Sequence, residues 1–278
     1  MVSACAAAVH SEHVQVRDDY GNDVRLAATA RRIVSLSPHL TELLYAAGAG
    51  RRVVGALEYS DYPAEARSVP RVGSEASIDL EAVIALGPDL IVAWPNAGSV
   101  RAVNRLAEMP FAVFRSEPRE LDDIPRTLER LGILAGTSQE AAKAAAGFRA
   151  RVRDLELRYS KRPRVRVFYQ VWDRPLLTVN GDHVITKVMR LCGGENVFAG
   201  LPLIAPEIDR EAVVRANPEV IITSAASLDP WKAFPRVAAV ANGQLYAIPP
   251  DLLQRHTPRL LDGAERLCRL LEQVRTRS

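Results

Sequence analysis

The sequence predicts two α/β lobes with central, mostly parallel sheets, joined by one long helix. Three observations lead there. The segment Asp79-Leu-Glu-Ala-Val-Ile-Ala-Leu-Gly-Pro-Asp-Leu-Ile-Val-Ala-Trp94 recurs in weakened form 130 residues on, as Asp209-Arg-Glu-Ala-Val-Val-Arg-Ala-Asn-Pro-Glu-Val-Ile-Ile-Thr-Ser224. Two distant copies are too few for a solenoid and imply two similar lobes, with a cleft between them where a ligand would bind. Apolar strands alternate with helical stretches in both halves, the pattern of a parallel, doubly wound, Rossmann-like sheet. Between the halves, residues 141–159 hold no proline, one glycine and a single apolar face.

In chain order, residues 1–30 read as a leader remnant followed by a hairpin. Val14–Arg17 and Asp23–Leu26 flank the glycine-containing turn Asp19-Tyr-Gly-Asn22. Residues 31–137 form the first lobe. Arg32–Leu36 is a short strand that stops at Ser37-Pro38, and a helix beginning near His39 ends at Gly48. Val53–Ala56 is the next strand, followed by the loop Tyr59-Ser-Asp-Tyr-Pro63. Asp79–Leu86 is a helix stopped by Gly87-Pro88, and Leu90–Ala93 a buried strand that ends at Trp94. Ser37-Pro38, Tyr59 and Trp94 therefore fall at C-terminal strand ends, where ligands gather in such folds. Thr137-Ser-Gln-Glu140 has the form of a capping box opening the interlobe helix, residues 138–160. Phe148, Val152, Leu155 and Tyr159 lie on one of its faces. Residues 161–278 form the second lobe, starting with strand Val165–Gln170. There Thr186–Gly193 echoes Thr41–Gly48 at an offset of 145, so the lobes are similar without sharing one register.

Composition excludes several classes. The chain has 278 residues, 48% hydrophobic and 25% charged, enough for two modest cores. A net charge of +3 spread along the chain gives no basic stripe for nucleic acid. No apolar run reaches the roughly 18 residues of a membrane span. Val2-Ser-Ala-Cys5 resembles the end of a lipoprotein signal without its preceding charged and apolar regions, so Cys5 is either a lipidation site or part of a chance small-residue start. Cys192 and Cys268 are either a disulfide of an exported protein or two buried thiols.

Catalytic motifs are missing. There is no phosphate-cradling glycine loop and no His-Glu-x-x-His, and Ser35 and Ser37 lack the frame of a nucleophile elbow. Of five scattered histidines, His39, His183 and His256 would have to converge to hold a metal, the arrangement that a metal-dependent hydrolase would need. The aromatics say more. Tyr59, Trp94 and Trp172 each follow a strand, where large rings suit a flat, bulky ligand or else pack the lobes. Asp251 and Arg255 offer polar groups to a ligand or form a surface ion pair. Glu81 and Glu211 hold equivalent places in the repeat. Each would stabilise the positive end of its helix, and as a duplicated pair they would also suit two identical Arg-lined pockets on a twofold-symmetric partner.

With these residues in view, the chain from Arg31 to Leu271 resembles the substrate-binding proteins of bacterial ATP-driven (ABC) importers for cobalamin and iron-siderophores, the class with two α/β lobes and one rigid interlobe helix. The resemblance rests on Val34–Pro38, Thr41–Leu43, Tyr59–Pro63, Ala85–Leu90, Ala93-Trp94, Cys192–Asn196 and Arg255–Arg259. Tyr-Ser-Asp-Tyr-Pro and Ala-Trp point to its cobalamin-binding (vitamin B12) branch. The resemblance implies a non-enzymatic, monomeric, periplasmic carrier without a cofactor that delivers a corrinoid to a permease dimer in the inner membrane. It implies cleft contacts for Tyr59, Trp94, Ser37, Pro38, Asp251 and Arg255, permease docking for Glu81 and Glu211, and a disulfide for Cys192 and Cys268. Glu75, Ala205 and Leu252 stand where aromatics are expected, and Trp172 and His39 are placed to compensate. Haem, with His39 or Tyr59 as axial ligand, or a ferric siderophore on Arg255 are the alternative ligands.

Overall fold

The computed structural model describes residues 13–96, 98–224 and 227–277. Cys5 and His10 lie outside them. The chain divides into two compact units. The first comprises the described residues up to Glu117 together with Arg126–Lys143, and the second Pro118–Pro125 and the described residues from Ala144 onward.

The first unit opens with the expected hairpin, β1 (Val14–Arg17) and β2 (Asp23–Leu26), paired antiparallel. It continues through β3 (Ile33–Leu36), α1 (Pro38–Ala46), β4 (Val53–Ala56), the two-residue strands β5 (Gly73–Ser74) and β6 (Ser77–Ile78), α2 (Leu80–Ala85), β7 (Leu90–Ala93), α3 (Val100–Ala107) and β8 (Ala112–Arg115). α4 (Asp123–Ala135) starts in the segment grouped with the second unit, and α5 (Ser138–Tyr159), 22 residues long, begins in the first unit and continues into the second. The second unit then runs β9 (Val165–Gln170), α6 (Val184–Leu191), β10 (Gly194–Asn196), α7 (Arg210–Ala216), β11 (Val220–Thr223), α8 (Ala238–Ala241), β12 (Leu245–Ala247), α9 (Pro250–Leu253) and α10 (Leu260–Arg277).

Each unit holds a four-stranded, all-parallel sheet, in the order β4-β3-β7-β8 in the first and β10-β9-β11-β12 in the second. The two orders are the same topology. The central strands β3, β7 and β11 are buried along their whole length, as strands covered on both faces must be.

The repeat is physical as well as textual. Asp79 and Asp209 cap α2 and α7, their carboxylates accepting from Ala82 N at 2.9 Å and Ala212 N at 2.6 Å. Val83 and Val213 are fully buried and belong to the two separate cores. Both helices end on a left-handed residue, Gly87 (φ 53°) and Asn217 (φ 44°), the two residue types that tolerate that conformation. Arg32 then donates to Leu86 O, and Arg166 to Ala216 O, satisfying carbonyls that a helix end leaves open. Asp89 and Glu219 close the motif by accepting from the backbone N–H of Arg32 and Arg166.

One expectation fails. The Thr137–Glu140 capping box does not form, because Thr137 Oγ1 is buried without a hydrogen-bond partner. Both side chains pack on the turn after α1 instead. A Cβ added at Gly48 would stand 2.9 Å from Glu140 Cβ and 3.5 Å from Thr137 Cβ. Contact with that turn takes the place of the local cap.

Candidate functional site

In each unit the chain leaves the first strand in one direction and later returns to its other side, so the strand order reverses between β3 and β7, and between β9 and β11. Ligands of open parallel sheets bind outside the C-terminal strand ends at such a reversal. In the first unit, Ser37, Pro38 and His39 follow β3, and Trp94 follows β7, so they flank this point. His39 and Trp94 meet edge to face with ring centroids 5.4 Å apart. The Ser37 hydroxyl lies 2.7 Å from His39 Nδ1, which fixes the ring's rotation. His39 is 5% exposed, whereas Trp94 is half-buried.

Tyr59 stands beyond β4, 75% exposed and with φ 62°. A bulky residue in the left-handed region carries backbone strain, which gathers at binding sites. Beneath this rim lies a buried hydroxyl network that the sequence reading did not single out. Thr41 Oγ1 is 2.9 Å from Ser35 Oγ, 3.1 Å from Ser60 Oγ and 3.2 Å from Ser37 O. Asn96 and Ser99 were missed as well. Asn96 Oδ1 accepts from Gly98 N and Ser99 N, and the Ser99 hydroxyl donates to Trp94 O at 2.9 Å, so an Asx-turn holds the loop bearing Trp94. The Asn-x-x-Ser spacing two residues after a strand-end Trp was the available signal. Glu75 accepts from Asn96 Nδ2 at 3.3 Å and thus serves this loop.

In the second unit, Trp172 lies just beyond β9, 56% exposed, its indole N–H donating to Arg174 O at 3.0 Å. Asp251 and Arg255 form an i,i+4 ion pair at 3.1 Å, with side-chain exposures of 43% and 15%. The Tyr169 hydroxyl is buried, and loss of hydration raises its pKa to about 12. His183 and His256 also meet here, ring centroids 6.5 Å apart. Burial lowers both to about 4, so both are neutral at pH 7. For His256 the neighbouring His183 adds to the effect and Asp123 opposes it. His183 Nδ1 caps α6 by accepting from Ile185 N at 3.1 Å. Among the described residues no group of three His, Cys, Asp or Glu side chains is placed to hold a metal. His39 belongs to the first unit and the other two histidines to the second.

Glu81 and Glu211 lie in the first turns of α2 and α7 and are exposed. Cys192 and Cys268 are joined by a disulfide, Cα–Cα 4.6 Å, that ties the end of α6 to α10.

The chain is 38% identical to the vitamin B12-binding protein of Vibrio cholerae serotype O1 over 247 residues, covering 87% of this chain and 90% of that one. Its counterpart in Yersinia pestis is 36% identical over 252 residues, covering 90% and 89%. The crystal structure of the periplasmic vitamin B12 binding protein of Vibrio cholerae matches with a TM-score of 0.83 and 37% identity, over 88% of this chain and 98% of that one. The periplasmic heme-binding protein of Roseiflexus sp. RS-1 shares the fold, with a TM-score of 0.74 and 22% identity over 88% and 99% of the two chains. Residues 33–252 match the periplasmic binding protein family, and the chain belongs to that family.

Proposed function

We propose that this chain is an extracytoplasmic, non-enzymatic solute-binding protein that captures cobalamin and delivers it to the permease dimer of an ATP-driven importer. The similarity to vitamin B12-binding proteins across 87% of the chain carries this reading. The rim chemistry supports it. A corrinoid is a broad, flat ring edged with amides. Trp94 and Tyr59 supply aromatic area in the first unit, Ser37, Pro38 and His39 line the backbone beside them, and Trp172 supplies a second exposed ring. Asp251 and Arg255 supply charged hydrogen-bonding groups for the amides. Glu81 and Glu211 are the docking carboxylates for the permease. Haem is the weaker reading, since His39 as an axial ligand would have to give up its enclosure by Ser37 and Trp94.

The test is direct. Purified protein is mixed with cyanocobalamin or with haemin, desalted, and its visible spectrum recorded. The corrinoid bands stay with the protein. Retention of haem with loss of cobalamin refutes the assignment.

A further inference from the structure

The exposed faces of α2 and α7 carry a second duplicated feature. Ile84 and Val214, matched by the same offset as the glutamates, are 43% and 36% exposed, while the valines one residue before them are fully buried. Each lies three residues after its glutamate, so Glu81 with Ile84, and Glu211 with Val214, are neighbours on one helical face. Among the described residues, neither glutamate is in an ion pair. The arginines special to α7 do not neutralise Glu211. Arg210 lies 3.4 Å from Asp173 and Arg215 4.0 Å from Asp209. Both helices are held at each end, by an Asp cap and by an Arg on the last carbonyls. They offer a fixed pair of side chains instead of a frayed turn, which lowers the ordering cost of binding. A lone exposed aliphatic is ordinary, but the same carboxylate–aliphatic pair on two clamped helices in two units is a repeated surface.

We infer that Ile84 and Val214 are part of the docking surface. Each would fill an apolar patch beside a cation in one of two equivalent sockets on a twofold-symmetric membrane permease. The occupant follows from the chemistry: two unpaired carboxylates call for two cations, and a duplicated knob calls for a duplicated socket. This rests on the docking role proposed above for the glutamates. The two contributions differ in a measurable way, because attraction between exposed charges weakens as salt rises and apolar burial does not.

The experiment measures binding of the cobalamin-loaded protein to the organism's own cobalamin permease in lipid nanodiscs, at low and high salt. Ile84→Ser with Val214→Ser should weaken binding about tenfold at both salt concentrations. Ile84→Leu with Val214→Leu should bind like the parent. Glu81→Arg with Glu211→Arg should abolish binding. Cyanocobalamin affinity and circular dichroism should not change in any of them, since all four positions are exposed. If the serine pair binds like the parent while the arginine pair fails, the aliphatic contribution is refuted and the docking reading stands. If neither pair weakens binding, both fall.

Discussion

Reduction of the Cys192–Cys268 disulfide should lower the stability of the second unit by a predictable amount. The bond closes a loop of 76 residues that starts at the end of α6 and runs through β10, α7, β11, α8, β12 and α9 into α10. In the chain-entropy model a loop of that length restricts the unfolded chain by about 15 cal/mol/K, or about 4.5 kcal/mol at room temperature. Both cysteines are fully buried. Replacing them by alanine therefore adds a packing loss, whereas reduction removes only the cross-link. The assay is urea unfolding of oxidised and reduced protein. It is followed by Trp231, which is buried against Phe168 and donates its indole N–H to Gln170 Oε1 at 2.7 Å. With a denaturant slope of about 2 kcal/mol/M, the midpoint should fall by about 2 M. The Cys192→Ala, Cys268→Ala protein should fall at least as far and ignore reductant. An unchanged midpoint in the reduced wild-type chain would refute the reasoning.

Acid should destabilise the same unit. His183 and His256 titrate near 4 when folded and near 6.5 when free, so between those values the unfolded chain binds protons that the native one refuses. Stability is fully present above pH 6.5 and is lost as pH falls towards 4, by at most about 3 kcal/mol per histidine. Urea midpoints across that range should flatten in a His183→Asn, His256→Gln protein, and an undiminished slope would contradict the assignment. Asp79→Ala and Asp209→Ala should each cost about 1 kcal/mol in thermal unfolding through loss of the helix caps. Equal stability to the parent would show that the two caps contribute nothing. Trp94→Ala should weaken cyanocobalamin binding by about tenfold or more while leaving the fold intact. Unchanged affinity on titration would remove Trp94 from the site.

Much of this architecture could be read from local chemistry. Asp79, Val83 and Pro88, and their counterparts Asp209, Val213 and Pro218, mark a capped helix with one buried face and an abrupt stop, and the structure keeps each of those roles. The strand-end positions of Trp94 and Trp172 follow from the same alternation. Interactions between residues far apart in the chain were not legible. Arg32 reaches α2 across 54 residues and Arg166 reaches α7 across 50. Nothing around either arginine announces its target. The His39–Trp94 contact likewise depends on which strands become neighbours in the sheet. The capping box at Thr137 failed for the converse reason, since a local motif yielded to packing against the distant Gly48 turn.

The most direct test of the account is a calorimetric titration of the oxidised protein with cyanocobalamin. It predicts saturation at one corrinoid per chain, with a negative heat-capacity change from burial of the aromatic rims. A titration that shows no saturable corrinoid binding by folded, disulfide-bonded protein would contradict it.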